Sequence, residues 1–173
     1  MKTIQLIILL LMFANQAFAS DYIAKITEYG IYNVDKPKSI EFPEAMSGKA
    51  QQGEGVLQKK TTVIPLIKNT FFGYKFTISN IDDESVKLLT LVIEHPSIVA
   101  LDGISNSRLA MQIRKRPKNG VITSQIGYVL NQDYEMVPGE WTLEVFLDKK
   151  MILEKTFTTV TSNKTPPEKS GGV

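Results

Sequence analysis

The chain has 173 residues, no cysteine, one histidine and a formal net charge of +2. The missing cysteines exclude disulfides, a lipid-modified cysteine, thiol catalysis and thiolate-bound metal. The near-balance of charge provides no global field toward nucleic acid or an anionic membrane surface.

Residues 1–19 read as a secretory signal: Lys2 is the positive start, Ile4 to Phe13 the apolar stretch, and Ala17-Phe18-Ala19 a small-x-small cleavage site. The apolar stretch is about ten residues, against the roughly 20 that a membrane-spanning helix needs. Cleavage after Ala19 starts the mature chain at Ser20, with 19 basic against 18 acidic side chains. No later stretch is long and apolar enough to span a bilayer. The expected location is therefore periplasmic or secreted, with no stable membrane insertion after signal removal.

In chain order, Tyr22 to Tyr32 is rich in Ile and Tyr and reads as a first strand, with Gly30 a candidate bulge. Residues 34–55 carry Pro37, Pro43, Gly48, Gly53 and Gly55 among polar residues and read as a long loop. Val56 to Pro65 reads as one polar strand. Phe71 to Ser79 is the cleanest inner strand, with Phe72, Tyr74, Phe76 and Ile78 on one parity.

After the turn Asn80 to Ser85, Val86 to Glu94 reads as a strand closed by His95-Pro96. It is apolar on both parities, so something must cover its second face: the 34–55 loop, the first strand or a partner. Arg108 to Arg114 alternates with Leu109, Met111 and Ile113 inward, and Ile122 to Leu130 with Ile126, Tyr128 and Leu130 inward. Lys115 to Gly120 between them reads as a turn joining adjacent antiparallel strands.

Pro138 to Val160 reads as a closing hairpin. Trp141, Leu143, Val145 and Leu147 form a core parity, and Leu153 and Phe157 answer from the return strand. Lys155 interrupts that return, which suggests a bulge or an edge blunted by Glu154, Lys155, Thr156 and Thr158. Residues 161–173 are polar with Pro and Gly and read as a disordered tail. About seven to eight short strands with turn signals between them predict an immunoglobulin-like two-sheet antiparallel β-sandwich over residues 20–160. Its core candidates are Phe72, Tyr74, Phe76, Tyr128, Trp141, Leu143 and Phe157.

Three blocks, Glu28 to Tyr32, Thr61 to Pro65 with Phe72-Gly73-Tyr74 and His95-Pro96, and Val137 to Trp141 leading to Leu153 and Phe157, carry a resemblance. Over residues 22–160 the chain resembles the bacterial exported family known as domain of unknown function 3859. The resemblance implies an exported domain and offers no catalytic residues to carry over.

The chemistry-bearing side chains are sparse. His95 has no nucleophile motif with it and reads as a strand-terminal polar residue. One histidine without cysteine is a poor zinc set. Asp82-Asp83-Glu84 lacks the spacing of a calcium loop and reads as a solvated turn. Arg114, Lys115, Arg116 and Lys118 form the one basic cluster, a weak candidate for phosphate groups or an acidic partner. No aromatic residues interleave with it as a nucleic-acid groove requires. Phe72, Tyr74, Tyr128 and Trp141 read as core before ligand wall.

These observations predict no catalytic residue, no metal and no cofactor. The expected function is a binding or structural module acting through loops or a sheet edge, its partner another envelope protein. The alternative is a small-ligand or ion-binding domain with 34–55 as a lid. An enzyme using carboxylates such as Asp82 and Glu84 is the third reading.

Overall fold

A computed structural model describes residues 22–34, 38–41, 49–53, 55–82 and 84–161. The expected signal, 1–19, and the expected tail beyond Thr161 lie outside the described residues. The strands are β1 (Ile23–Val34), β2 (Lys38–Glu41), β3 (Lys49–Gln52), β4 (Gly55–Lys59), β5 (Val63–Pro65), β6 (Thr70–Ser79), β7 (Lys87–Val99), β8 (Ser105–Lys115), β9 (Val121–Leu130), β10 (Gly139–Leu147) and β11 (Lys150–Val160). A short 3-10 turn, Asp133–Glu135, precedes β10.

Nine of these strands make two sheets, ordered β4-β1-β6-β9 and β5-β11-β10-β7-β8, and among the described residues β2 pairs with β3 alone. The all-β sandwich expected from the strand pattern is what forms. Its core lies where the alternation put it. Phe72, Tyr74, Phe76 and Ile78 from β6 face Trp141, Leu143, Val145 and Leu147 from β10, all essentially inaccessible to solvent. Leu89, Leu91 and Ile93 of β7 and Phe157 of β11 complete the layer. Each such buried side chain contributes about 1.5–3 kcal/mol of transfer free energy, enough for packing to hold the domain without disulfides. Tyr128 departs from the expected core set: it is only half-buried and packs against the cluster.

The closing hairpin forms as read. Asp148 and Lys149 both take left-handed backbone, at φ 51° and 66°, as a tight two-residue hairpin turn demands. Val145 pairs with Leu153 but Phe146 pairs with Met151, so Ile152 is the extra residue of a bulge.

Several local readings are corrected. The stretch 56–65 is two strands, β4 and β5, in different sheets, because the chain crosses the sandwich at Lys60–Thr62. The 34–55 loop contains the antiparallel ribbon of β2 and β3. Strand β7 does not stop at His95-Pro96. It runs on to Val99 through a register shift between Glu94 and Ile98, and such an irregularity tolerates a proline that lacks a ladder donor. The β1 bulge lies at Thr27, between Ile26 and Glu28, and not at Gly30.

The turn Lys115 to Gly120 does not join neighbours in one sheet: β8 and β9 belong to opposite sheets. Asn119 and Gly120, at φ 52° and 72°, make the tight turn that was read there. It closes a single bridge, Lys118 to Val121, before the strands part.

The second face of β7 is not covered by the first strand, which lies in the other sheet. Val92 is buried between its own cross-strand neighbours Ala110 and Glu144. Val86 and Leu88, nearer the strand end, stay exposed.

The edge expected along β11 is partly occupied, since β5 pairs with Thr158–Val160 in parallel. Lys155 does not blunt that edge. It continues the inward parity of Leu153 and Phe157 and reaches the ring of Tyr29.

Candidate functional site

Among the described residues, the buried polar side chains His95, Glu135 and Thr159 gather with aromatic rings at one end of the sandwich, around Trp141. Alternation of β10 turns Trp141 inward, and continuation of β7 past Ile93 turns His95 inward beside it. The two rings stack with centroids 5.0 Å apart and planes inclined by 28°. Tyr128 of β9 packs on the same indole at 4.7 Å, and Phe72 of β6 meets it edge-on at 5.5 Å. Such pairs add about 0.5–1.5 kcal/mol beyond area burial.

Most of the polar groups here are paired, although the buried Asn131 Oδ1 is not. The Trp141 Nε1–H donates to Thr159 Oγ1 at 3.3 Å, and that hydroxyl donates to the Val137 carbonyl at 2.8 Å. The Tyr128 hydroxyl donates to Glu135 Oε1 at 2.7 Å. Glu135 Oε2 accepts the backbone N–H groups of Asn131 and Gln132 at 2.8 and 2.9 Å. Glu135, almost fully buried in the 3-10 turn, therefore knots the β9–β10 connection to the aromatic cluster.

His95 Nδ1 lies 2.8 Å from the Pro96 carbonyl. That contact requires the proton on Nδ1 and leaves Nε2 unprotonated in the neutral ring. Burial is the main influence on His95 and lowers its pKa, against smaller opposing effects of the Pro96 bond and Glu135. Burial, then Glu135, pushes the Tyr128 hydroxyl far up. A neutral imidazole, a protonated phenol and a hydrogen-bonded carboxylate are thereby packed into a rigid base.

The loops on this base form the sandwich pole. Lys68, in the β5–β6 turn, bonds Asp133 of the 3-10 turn at 3.0 Å. On the other side Asp102, in the β7–β8 hairpin, lies close enough to raise the pKa of Tyr134, after burial and Glu135. The hairpin tip is apolar. Leu101 is 92% exposed, Ile104 65% and Val99 55%, and Ile67 of the neighbouring turn is also exposed. The tip is nevertheless locked: Ala100 N–H bonds Ile104 O, Gly103 N–H bonds Ala100 O, and Ile104 N–H bonds Asp102 Oδ1.

The predicted basic cluster is elsewhere. Arg114, Lys115, Arg116 and Lys118 lie at the opposite end of β8 from this hairpin. Asp82 and Glu84 are beside that far turn, where Ile81 N–H bonds Gly120 O, and both are exposed. Asp82 Oδ1 accepts the Glu84 N–H at 3.0 Å, the bond of a local turn. Among the described residues no three His, Asp or Glu side chains converge as metal ligands would.

Sequence reasoning missed Glu135, Thr159, Leu101 and Ile104. For Glu135 and Thr159 no local signal exists, because their partners come from other strands. Leu101 and Ile104 did carry one: two large apolar residues flanking the turn dipeptide Asp102-Gly103.

The family model described as domain of unknown function, DUF3859, matches residues 20–159. The chain belongs to the DUF3859 family. An immunoglobulin-like protein from Pseudomonas aeruginosa shares 25% identity with this DUF3859 chain. The similarity covers 79% of this chain and 96% of that one, with a TM-score of 0.55. A Pseudomonas fluorescens alkylpurine DNA glycosylase bound to abasic DNA aligns at 12% identity over 57% of this chain and 27% of its own, with a TM-score of 0.42. A Listeria innocua β-glucosidase aligns at 11% identity over 62% and 17%, with a TM-score of 0.37. Those two likenesses are too slight to bear on function. No curated protein matches the chain. The fold class is thus an immunoglobulin-like β-sandwich, as the strand pattern predicted.

Proposed function

We propose that this DUF3859 protein is an exported, periplasmic or secreted, non-catalytic module that binds another envelope protein through the loops at the Trp141 pole. The signal-like residues 1–19 support export. The observation that carries the binding role is the apolar tip of the β7–β8 hairpin. Large side chains at 92% and 65% exposure are held there by two backbone–backbone hydrogen bonds and one from the Ile104 N–H to the Asp102 side chain. An apolar tip in a fixed conformation loses little entropy on docking, and full burial of each such side chain yields about 1.5–3 kcal/mol. The base beneath it is tied together by the Glu135 and Thr159 hydrogen bonds, so the tip stands on a well-anchored scaffold, as loops on sandwich scaffolds do when they bind partners.

A photo-crosslinking residue at position 101, in intact cells, is expected to trap one reproducible envelope protein. The same probe at position 116, on the opposite pole, is expected to trap none. Recovery of the uncrosslinked monomer alone from position 101, or the same products from both positions, would overturn the reading.

A further inference from the structure

We propose that a notch between β1, β4 and β11 binds a small organic anion, a carboxylate carrying an apolar body. The site is far simpler than the pole and independent of it. Strand β4 pairs with β1 only along Ile31–Val34. On that side, Ile23–Gly30 has no ladder partner among the described residues. The chain then leaves β4 for the other sheet, and the gap it leaves is a cavity of about 410 Å³. That volume lies within the range of small-molecule sites.

Its walls are amphipathic. Ile26 and Leu57 supply apolar surface, and the inward-facing Tyr29 forms the centre. Two ammonium groups converge on that one ring: Lys155 Nζ lies 3.8 Å from its centroid and Lys60 Nζ 5.3 Å. Neither arrival is accidental. Lys155 occupies an inward position of β11 between Leu153 and Phe157, where the pattern calls for an apolar side chain. Lys60 is brought in by the close approach of the β4 end to Gly30. A Cβ on Gly30 would stand 2.0 Å from the Lys59 carbonyl oxygen, and its φ of +143° also favours glycine.

Two like charges beside one ring repel each other, and the ring quadrupole answers them only in part. Neither lysine has a carboxylate partner among the described residues. The one carboxylate in the lining, Glu28, is already paired with Lys75 at 2.9 Å. The notch therefore carries two uncompensated positive charges against an apolar wall. An anion with a hydrocarbon body satisfies both, whereas a cation is repelled.

The test uses the purified protein with octanoate, octanol and inorganic phosphate, each at millimolar concentration. The readouts are NMR shifts of Tyr29 and Leu57 and thermal stability. Octanoate is expected to shift both signals and raise Tm, with octanol and phosphate each binding at least about tenfold more weakly, since each lacks one half of the match. Lys155→Met restores the apolar side chain that the inward position calls for and is expected to fold, yet to lose about tenfold in octanoate affinity. Lys60→Gln, at an exposed position, serves as the second variant and is expected to weaken binding likewise. Failure of octanoate to move the lining signals, equal binding of octanol or of phosphate, or undiminished binding by both variants would overturn the proposal.

Discussion

His95 lies flat against Trp141, ring centroids 5.0 Å apart, with its Nδ1 2.8 Å from the Pro96 carbonyl. Protonation of this ring places a positive charge in a buried aromatic stack, a cost that the charge of Glu135 offsets only in part. Burial holds its pKa below the ordinary value of 6.5. The unfolded chain therefore binds the proton more readily than the folded one. The stability that this neutral histidine contributes is fully present above pH 6.5, the unfolded value, and declines as pH falls through the window down to the lowered folded value. Thermal denaturation from neutral pH downward is expected to show Tm falling more steeply for the wild type than for His95→Phe. Parallel curves would contradict a buried neutral imidazole.

Glu135→Ala deprives the Tyr128 hydroxyl and two backbone N–H groups of their acceptor. Leaving buried donors unsatisfied costs about 1–3 kcal/mol in total stability. Urea denaturation measures that loss. Amide exchange at Asn131 and Gln132 is expected to accelerate while β6 amides keep their protection, because the loosening is confined to the β9–β10 connection.

Gly30→Ala sets a methyl group against the Lys59 carbonyl, at a φ that L-residues rarely adopt. The expected cost is at least about 2 kcal/mol, from strain and from displacement of the β4 end. Denaturant titration checks the loss. The same displacement moves Lys60 away from Tyr29, so a changed NMR signal from the Tyr29 ring is expected to accompany it.

Leu101→Asp alters a side chain that is 92% exposed and makes no core contact. Stability is expected to stay within about 0.5 kcal/mol of wild type. A charge at the hairpin tip cannot be buried cheaply in an apolar partner surface. Under the proposed function, a crosslinker placed at Ile104 is then expected to lose its product in the Leu101→Asp background while Tm is unchanged.

The elements that were legible are those in which a single strand carries its own pattern. Phe72 to Ile78 and Trp141 to Leu147 alternate without interruption, so their inward faces followed from period two alone. The interruption at Lys155 was legible as an anomaly but not as its cause. A bulge does lie nearby, at Ile152, yet the lysine points inward because Tyr29, more than a hundred residues earlier, offers it a ring face. The turn at Asn119-Gly120 was likewise legible in its local geometry and misread in its partners, because turn chemistry reports the chain's direction and not which sheet receives it.

Composition and periodicity by themselves determined the class of this protein: a cysteine-free, near-neutral domain whose alternating strands pack as a sandwich. These are properties of short windows, and the hydrophobic effect acts on them without reference to distant residues. Only the tertiary structure decided where chemistry gathers. It laid His95 on Trp141, closed Glu135 around the Tyr128 hydroxyl, left Leu101 exposed on a locked hairpin and brought Lys60 and Lys155 to one tyrosine. Each of these joins, or sets apart, residues from different strands, and strand order in a sheet is a long-range choice that no local window encodes.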